Sequence, residues 1–209
     1  MQLVVLPEGQ PLAWYLEQEI KLAETATEDL FFCWRVKPTV IFGRHQQREA
    51  EVNETYCREH GIEVVQRKSG GGCVYADEGN LMLSLISTDT HSEQVFSRFM
   101  QTLAHVLQSL GLEAVTTAHN DILVGGRKVS GNACYALPNA TIVHGTLLYD
   151  VNLDALEQAI TPSEAKLQKH AVQSVRQRVT NLRPLLPDIR DIEQLQTRIS
   201  HDFVNSLIR

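Results

Sequence analysis

The sequence predicts an α+β fold, with a mixed, largely antiparallel sheet flanked by helices. Three observations carry that expectation. Short runs rich in β-branched and aromatic residues, punctuated by Gly, Pro and Asn, recur from the N-terminus to Tyr149. Within that region, two longer runs space their apolar residues three and four apart. From about residue 151 the pattern becomes mostly helical. The 209 residues contain no repeat, linker or low-complexity stretch, which favours one domain over 1–209.

Taken in order, residues 3–6 read as a short strand. Residues 11–26 read as a helix with Leu12, Tyr15, Leu16, Ile20 and Ala23 on one face. Residues 30–36 and 39–42 read as a strand pair broken at Lys37-Pro38. A short helix over 53–60 is stopped by Gly61, and a strand follows at 62–66. Beyond Ser69-Gly70-Gly71-Gly72, strands are expected at 73–76 and 81–87. The clearest helix covers 92–110, with Val95, Phe99, Leu103, Val106 and Leu110 on its stripe. Thr90 and Glu93 suggest its capping box, and Gly111 its end. Strands follow at 112–116, 121–124, 128–135 and 141–149, with Gly125-Gly126 as a tight turn. Thr161-Pro162-Ser163-Glu164 carries a helix-start signature. Ile192, Leu195, Ile199, Phe203 and Leu207 then share one helical stripe.

Composition excludes several classes. Hydrophobic residues make up 43% and charged residues 21%, values that separate this chain from disordered and collagen-like sequences. A net charge of −6 argues against non-specific nucleic-acid binding. No apolar run approaches the ~18–20 residues that span a bilayer, and the N-terminus lacks a secretory signal, so a cytoplasmic location is expected. The cysteines Cys33, Cys57, Cys73 and Cys134 form no C-x-x-C pair and read as free thiols.

Four segments carry candidate chemistry. In Arg67-Lys68-Ser69-Gly70-Gly71-Gly72-Cys73-Val74-Tyr75, bare glycine amides can wrap an anion beside a bidentate guanidinium; the same residues can equally make a flexible turn. In the segment from Asn120-Asp121 to Ala133, Lys128 and Ser130 share a face by the two-residue period. Lys128 is there either a stabiliser of developing negative charge or a solvated hairpin lysine. His144 in His144-Gly145-Thr146-Leu147-Leu148 is a packed core residue or a participant. Ser174-Val175-Arg176-Gln177-Arg178-Val179-Thr180-Asn181 is a basic surface or a solvated connection.

In this order, and together with Asp77-x-Gly79-Asn80, Trp34-Arg35 and Gly43-Arg44-x-Gln46, the segments closely resemble the lipoate–protein ligase A family of the biotin/lipoate ligase superfamily. The resemblance runs from about Leu12 to about Ile189 and implies the catalytic-domain fold of those ligases. It implies ATP-dependent activation of lipoate to lipoyl-AMP, with Mg2+, and transfer of the lipoyl group to one lysine of an apo lipoyl domain. Such acceptors are 2-oxoacid dehydrogenase E2 subunits or the glycine-cleavage H protein; neither nucleic acid nor membrane is implied. By resemblance, Arg67, Gly72, Cys73, Val74, Tyr75, Asn120, Asp121 and Thr146 hold the nucleotide. Trp34, Ser69, Gly70, Gly71, Asn80, Ser130, Gly131 and His144 hold lipoate. Lys128 serves both ligands and both half-reactions, and Asp121 is the Mg2+ partner.

Departures from the family pattern fall at Trp14, where Asn is usual, at Tyr135, often basic, and at Ala76, often His. They bear on acyl selectivity. Many members carry a second, C-terminal domain, and this chain ends at Arg209. Complete activity, activity with a separate accessory subunit, and transfer from preformed lipoyl-AMP are therefore the three forms to distinguish. An octanoyltransferase needs a cysteine nucleophile, but Thr141 stands where one branch places it. A non-catalytic lipoate-binding subunit would not need both Lys128 and Asp121. A basic rim of Arg35, Arg44, Arg176 and Arg178 is expected to meet an acidic acceptor.

Overall fold

The computed structural model describes residues 1–160 and 178–207. Its strands are β1 (Gln2–Leu3), β2 (Leu30–Trp34), β3 (Thr39–Phe42), β4 (Glu63–Gln66), β5 (Val74–Ala76), β6 (Asn80–Ser87), β7 (Ala114–Thr116), β8 (Asp121–Val124), β9 (Arg127–Leu137) and β10 (Ala140–Leu148). Its helices are α1 (Leu12–Thr25), α2 (Arg48–Glu51), α3 (Glu54–Glu59), α4 (Ser92–Ser109), α5 (Leu153–Ala159) and α6 (Ile192–Leu207). A 3-10 turn covers Arg183–Leu185.

Seven strands form one sheet in the order β1-β2-β6-β10-β9-β8-β7, antiparallel except for the β1–β2 pair. A second sheet has the order β4-β3-β5, with β4 parallel and β5 antiparallel to β3. The expected mixed, largely antiparallel architecture is therefore present. Strands β6 and β10 are buried along their whole length, because both faces of the large sheet are covered. Helices α4 and α6 cover one face around Phe31, Leu83, Leu85, Phe99, Leu103, Val143 and Phe203. Helix α1 covers the other face, packing Leu12, Tyr15 and Ala23 on Trp34, Met82 and Ile142. The small sheet rests with α3 and α5 on a third apolar cluster that includes Val40, Cys57, Tyr75, Leu148 and Ala155.

Three local expectations are corrected. Residues 30–34 and 39–42 are strands, but they do not pair with each other: β2 joins β1 and β6, whereas β3 joins β4 and β5. Lys37-Pro38 is where the chain leaves one sheet for the other. Second, the capping box at Thr90 and Glu93 is not used; His91 occupies the N-cap without a side-chain bond to the helix. Asp89 instead accepts from the His91 backbone N–H at 2.9 Å, fixing the turn before the helix. Third, the N-terminal strand is only Gln2–Leu3, since Val5 has left the sheet and is 88% exposed. Of the expected stripe on α6, Ile192, Leu195, Ile199 and Phe203 are buried. The helix start expected at Thr161 lies outside the described residues.

Helix α6 is anchored by Phe203, whose ring stacks on Phe31 at 4.1 Å and leans on Phe99 at 5.3 Å. Removing a fully buried ring from such a contact costs about 3–5 kcal/mol. Phe203→Ala is therefore expected to lower the free energy of urea unfolding by that amount, and a loss below about 1 kcal/mol would refute the docking described.

Candidate functional site

The β8–β9 hairpin is closed by Gly125 and Gly126, both at positive φ (57° and 74°), as a two-residue turn demands. Its register then shifts: Leu123 pairs with Lys128, but Ile122 pairs with Ser130, leaving Val129 as the extra residue of a β-bulge. The bulge breaks the alternation that placed Lys128 and Ser130 on one face. Ser130 is fully buried opposite Ile122 and Leu147, both in the α4–α6 core. Lys128 turns to the other face, and a side chain at Gly131 would place its Cβ 2.7 Å from Lys128 Nζ.

Lys128 Nζ lies 2.7 Å from Asp121 Oδ1. That oxygen accepts no well-aligned hydrogen bond, so charge holds the pair and lone pairs remain for a ligand. The backbone of 178–182 runs alongside, with Thr180 N–H donating to Lys128 O at 2.9 Å.

Two cavities meet at Lys128. The first, about 560 Å³ of space partly open to solvent, has an apolar end at Leu12, Leu16, Trp34 and Met82 and a polar end at Asn120, Lys128 and Thr146. Arg67, Gly131 and His144 also line it. The second, about 1440 Å³ of space likewise partly open to solvent, is bounded by Tyr75, Asp121, Leu123, Val179 and Arg178. Gly72, Cys73, Val74, Lys128 and Thr146 line both. Gly70 and Gly71 line a shallow groove on the outer side of the loop, beside Phe96 and His119. Ser69, Asn80 and Ser130 line none of these spaces. Asn80 is fully buried, donating to Met82 Sδ.

The glycine loop is built around Arg67. Its guanidinium is buried and donates to Ile41 O (3.0 Å), Gly70 O (2.8 Å), Gly72 O (2.6 Å) and Ser69 Oγ (3.1 Å). Burial lowers its pKa. No carboxylate is among its hydrogen-bond partners in the described residues, so the cation inside the loop remains available to an anion in the first cavity. The glycines differ in purpose. Gly71 sits at φ +91°, and a Cβ on Gly43 would meet Gly71 O at 2.3 Å. A Cβ on Gly70 or Gly72 would meet nothing within 4 Å, so folding alone does not require glycine there.

Behind the apolar end lies a buried polar chain. Trp34 Nε1 donates to Ser84 Oγ (2.8 Å), and Ser84 donates to Glu19 Oε1 (2.6 Å). His144 sets Nδ1 3.2 Å from Glu19 Oε2 and Nε2 2.6 Å from Ser69 Oγ. Glu19 and Ser84 were missed in the sequence. The signal for Glu19 was present: it lies four residues from both Tyr15 and Ala23, on the buried face of α1.

Asp77 and Asn181 serve as pins. Asp77 accepts from Gly79 N–H and Asn152 N–H, both at 2.9 Å, and Asn181 brackets Val151 through both its backbone groups. Burial pushes the Cys33 thiol up to about 12 and raises those of Cys57 and Cys134, which suits packing rather than nucleophilic attack. Of the expected basic rim, Arg44 and Arg178 are exposed, Arg35 is engaged by Glu8 (2.9 Å) and Glu193 (2.6 Å), and Ser174 and Arg176 lie outside the described residues. Among the described residues, no group of three or more His, Cys, Asp or Glu is arranged to hold a metal.

Residues 12–204 match the lipoyl protein ligase A/B catalytic domain. The chain belongs to this family. Lipoate–protein ligase 1 of Staphylococcus aureus is 39% identical over 181 residues, 86% of this chain and 55% of that protein. The chain spans about half the length of the curated relatives it matches. The fold superposes on the bipartite lipoate protein ligase of Thermoplasma acidophilum with a TM-score of 0.84 at 24% identity, covering 99% of this chain and 82% of that one. It superposes on a lipoate–protein ligase A bound with ATP with a TM-score of 0.81 at 25% identity, covering 99% and 85%. No helix among the described residues is long and apolar enough to cross a membrane.

The close approach of Gly43 to Gly71 and the open space around Gly72 separate the two glycines in stability. Gly43→Ala forces a backbone clash and is expected to cost about 1–3 kcal/mol in urea unfolding. Gly72→Ala is expected to change stability by less than about 0.5 kcal/mol. Equal losses in the two variants would refute the distinction.

Proposed function

We propose that this chain is the catalytic domain, across 1–209, of a lipoate–protein ligase. The observation that carries the reading is Lys128 at the junction of the two cavities, paired with Asp121. Lipoate lies in the first cavity, its apolar tail toward Trp34 and His144. ATP lies in the second, its phosphates near the Gly72–Tyr75 backbone and within the field of Arg67.

A lipoate carboxylate oxygen attacks the α-phosphorus of ATP, pyrophosphate leaves, and lipoyl-AMP forms. The neutral ε-amine of the acceptor lysine then attacks the acyl carbonyl. AMP leaves with the electron pair of the broken bond, and the amine loses its proton. Both steps develop negative charge around the same bridging oxygens, so one compact ammonium serves both. Asp121, with the phosphate oxygens, suits Mg2+, which takes one or two carboxylates and keeps its other ligands from substrate and water. Mg2+ would neutralise phosphate charge there.

The acceptor is a lipoyl domain of an E2 subunit or H protein. A second reading, in which adenylation needs a separate accessory subunit, is supported by the bipartite make-up of the Thermoplasma acidophilum ligase whose fold this chain shares.

Intact mass of an apo lipoyl domain tests both. One added lipoyl group from lipoate with Mg-ATP supports a complete ligase, and addition only from lipoyl-AMP supports the second reading. Addition from neither sinks the ligase function. Lys128→Ala is expected to lower kcat by about 10²–10³-fold, as losing one charge-stabilising donor commonly does; a change confined to KM would remove its catalytic role.

A further inference from the structure

Two buried charges of opposite sign lie in this site without touching. The Arg67 guanidinium is 7% exposed and the Glu19 carboxylate 0%. Ser69 and His144 stand between them, and with a neutral imidazole the donors available give the chain one direction. Arginine only donates, so Ser69 Oγ accepts from Nε at 3.1 Å. A carboxylate only accepts, so the hydrogen between His144 and Glu19 sits on Nδ1. The indole only donates, so Ser84 accepts from Trp34 and sends its own hydrogen to Glu19. On a neutral ring Nε2 then carries only a lone pair, and the Ser69 hydroxyl donates to it across 2.6 Å. In that arrangement each member is satisfied, and the bonds of both arms polarise one another toward Glu19.

We propose that Glu19 is a positioning residue for the glycine loop, acting through His144 and Ser69. Glu19 holds His144 as the Nδ1–H tautomer. The free Nε2 orients the Ser69 hydroxyl, whose lone pair fixes Arg67 Nε. Arg67 Nη2 then holds the Gly70 and Gly72 carbonyls, and so the backbone that borders both cavities. A side chain beside the apolar end of the first cavity thereby sets the geometry at the polar end. Only the kinetic arm of the test rests on the ligase reading.

The first measurement needs no variant. Imidazole 15N NMR of the full chain, with His144 assigned by its loss in His144→Gln, is expected to show a neutral ring carrying its hydrogen on Nδ1. An Nε2–H or doubly protonated ring overturns the proposal. In Glu19→Gln, the amide N–H₂ set against Nδ1 is expected to drive His144 to the Nε2–H tautomer. Trypsin cleavage after Lys68 should then rise about tenfold, the worth of one lost hydrogen bond, with cleavage elsewhere unchanged. KM for ATP should rise by a similar factor, with KM for the acid nearly constant. Unchanged cleavage after Lys68, or an effect on the acid's KM alone, overturns the proposal. A chain inactive without any substitution counts against the ligase reading, while the NMR and proteolysis arms still decide the relay. If Glu19→Gln does not fold, the tautomer of the unsubstituted chain decides it.

Discussion

A slip of one residue in β10 would carry His144 and Thr146 to the face held by α4 and bring Val143 and Leu147 to the cavity. The site depends on that slip being prohibited. Strand β10 is the central contributor: it sets His144 opposite Ser84 of β6 and Thr146 opposite Gly131 of β9. Both its faces are buried, one against α4 and α6 and the other against α1, so its apolar residues leave only one register that satisfies both layers. The polar chain from Trp34 to Ser69 is assembled on this register, because Ser84 and His144 must be cross-strand neighbours for both to reach Glu19.

Where β10 imposes regularity, β9 breaks it. The extra residue at Val129 lets a lysine and a fully buried serine two positions apart face opposite layers. The bulge serves two needs at once: Val129 and Ser130 complete the layer beneath α4, and Lys128 is released toward the cavities. Gly131 leaves room for that lysine. The pairing with Asp121 then keeps the ammonium at the junction of the two spaces rather than in solvent.

The glycine loop shows a different principle. An anion-binding loop needs free amides on one side and a rigid support on the other. Arg67 provides the support by taking up the Gly70 and Gly72 carbonyls, which places a desolvated positive charge behind the loop. Gly71 and Gly43 allow the chain to close on itself, while Gly70 and Gly72 leave the ligand side bare. Such a construction suits a negatively charged ligand more than a neutral one.

The sequence by itself determined the fold class, most helices and strands, and the family. Those rest on local periodicity and on motifs contiguous in the chain, such as Arg67 to Tyr75 and His144 to Leu148. It also carried the anomaly of Glu19 on an apolar helix face, legible only if read for polarity as well as period. Only the tertiary structure decided that residues 30–34 and 39–42 belong to different sheets, because strand pairing is a non-local choice that alternation does not encode. It alone placed Lys128 and Ser130 on opposite faces, since a bulge is a register mismatch between two strands and belongs to neither sequence segment alone. It also joined Trp34, Ser84, Glu19, His144 and Ser69, drawn from separate elements, into one chain of hydrogen bonds, because buried polar groups find their partners in space wherever the packed layers bring them together.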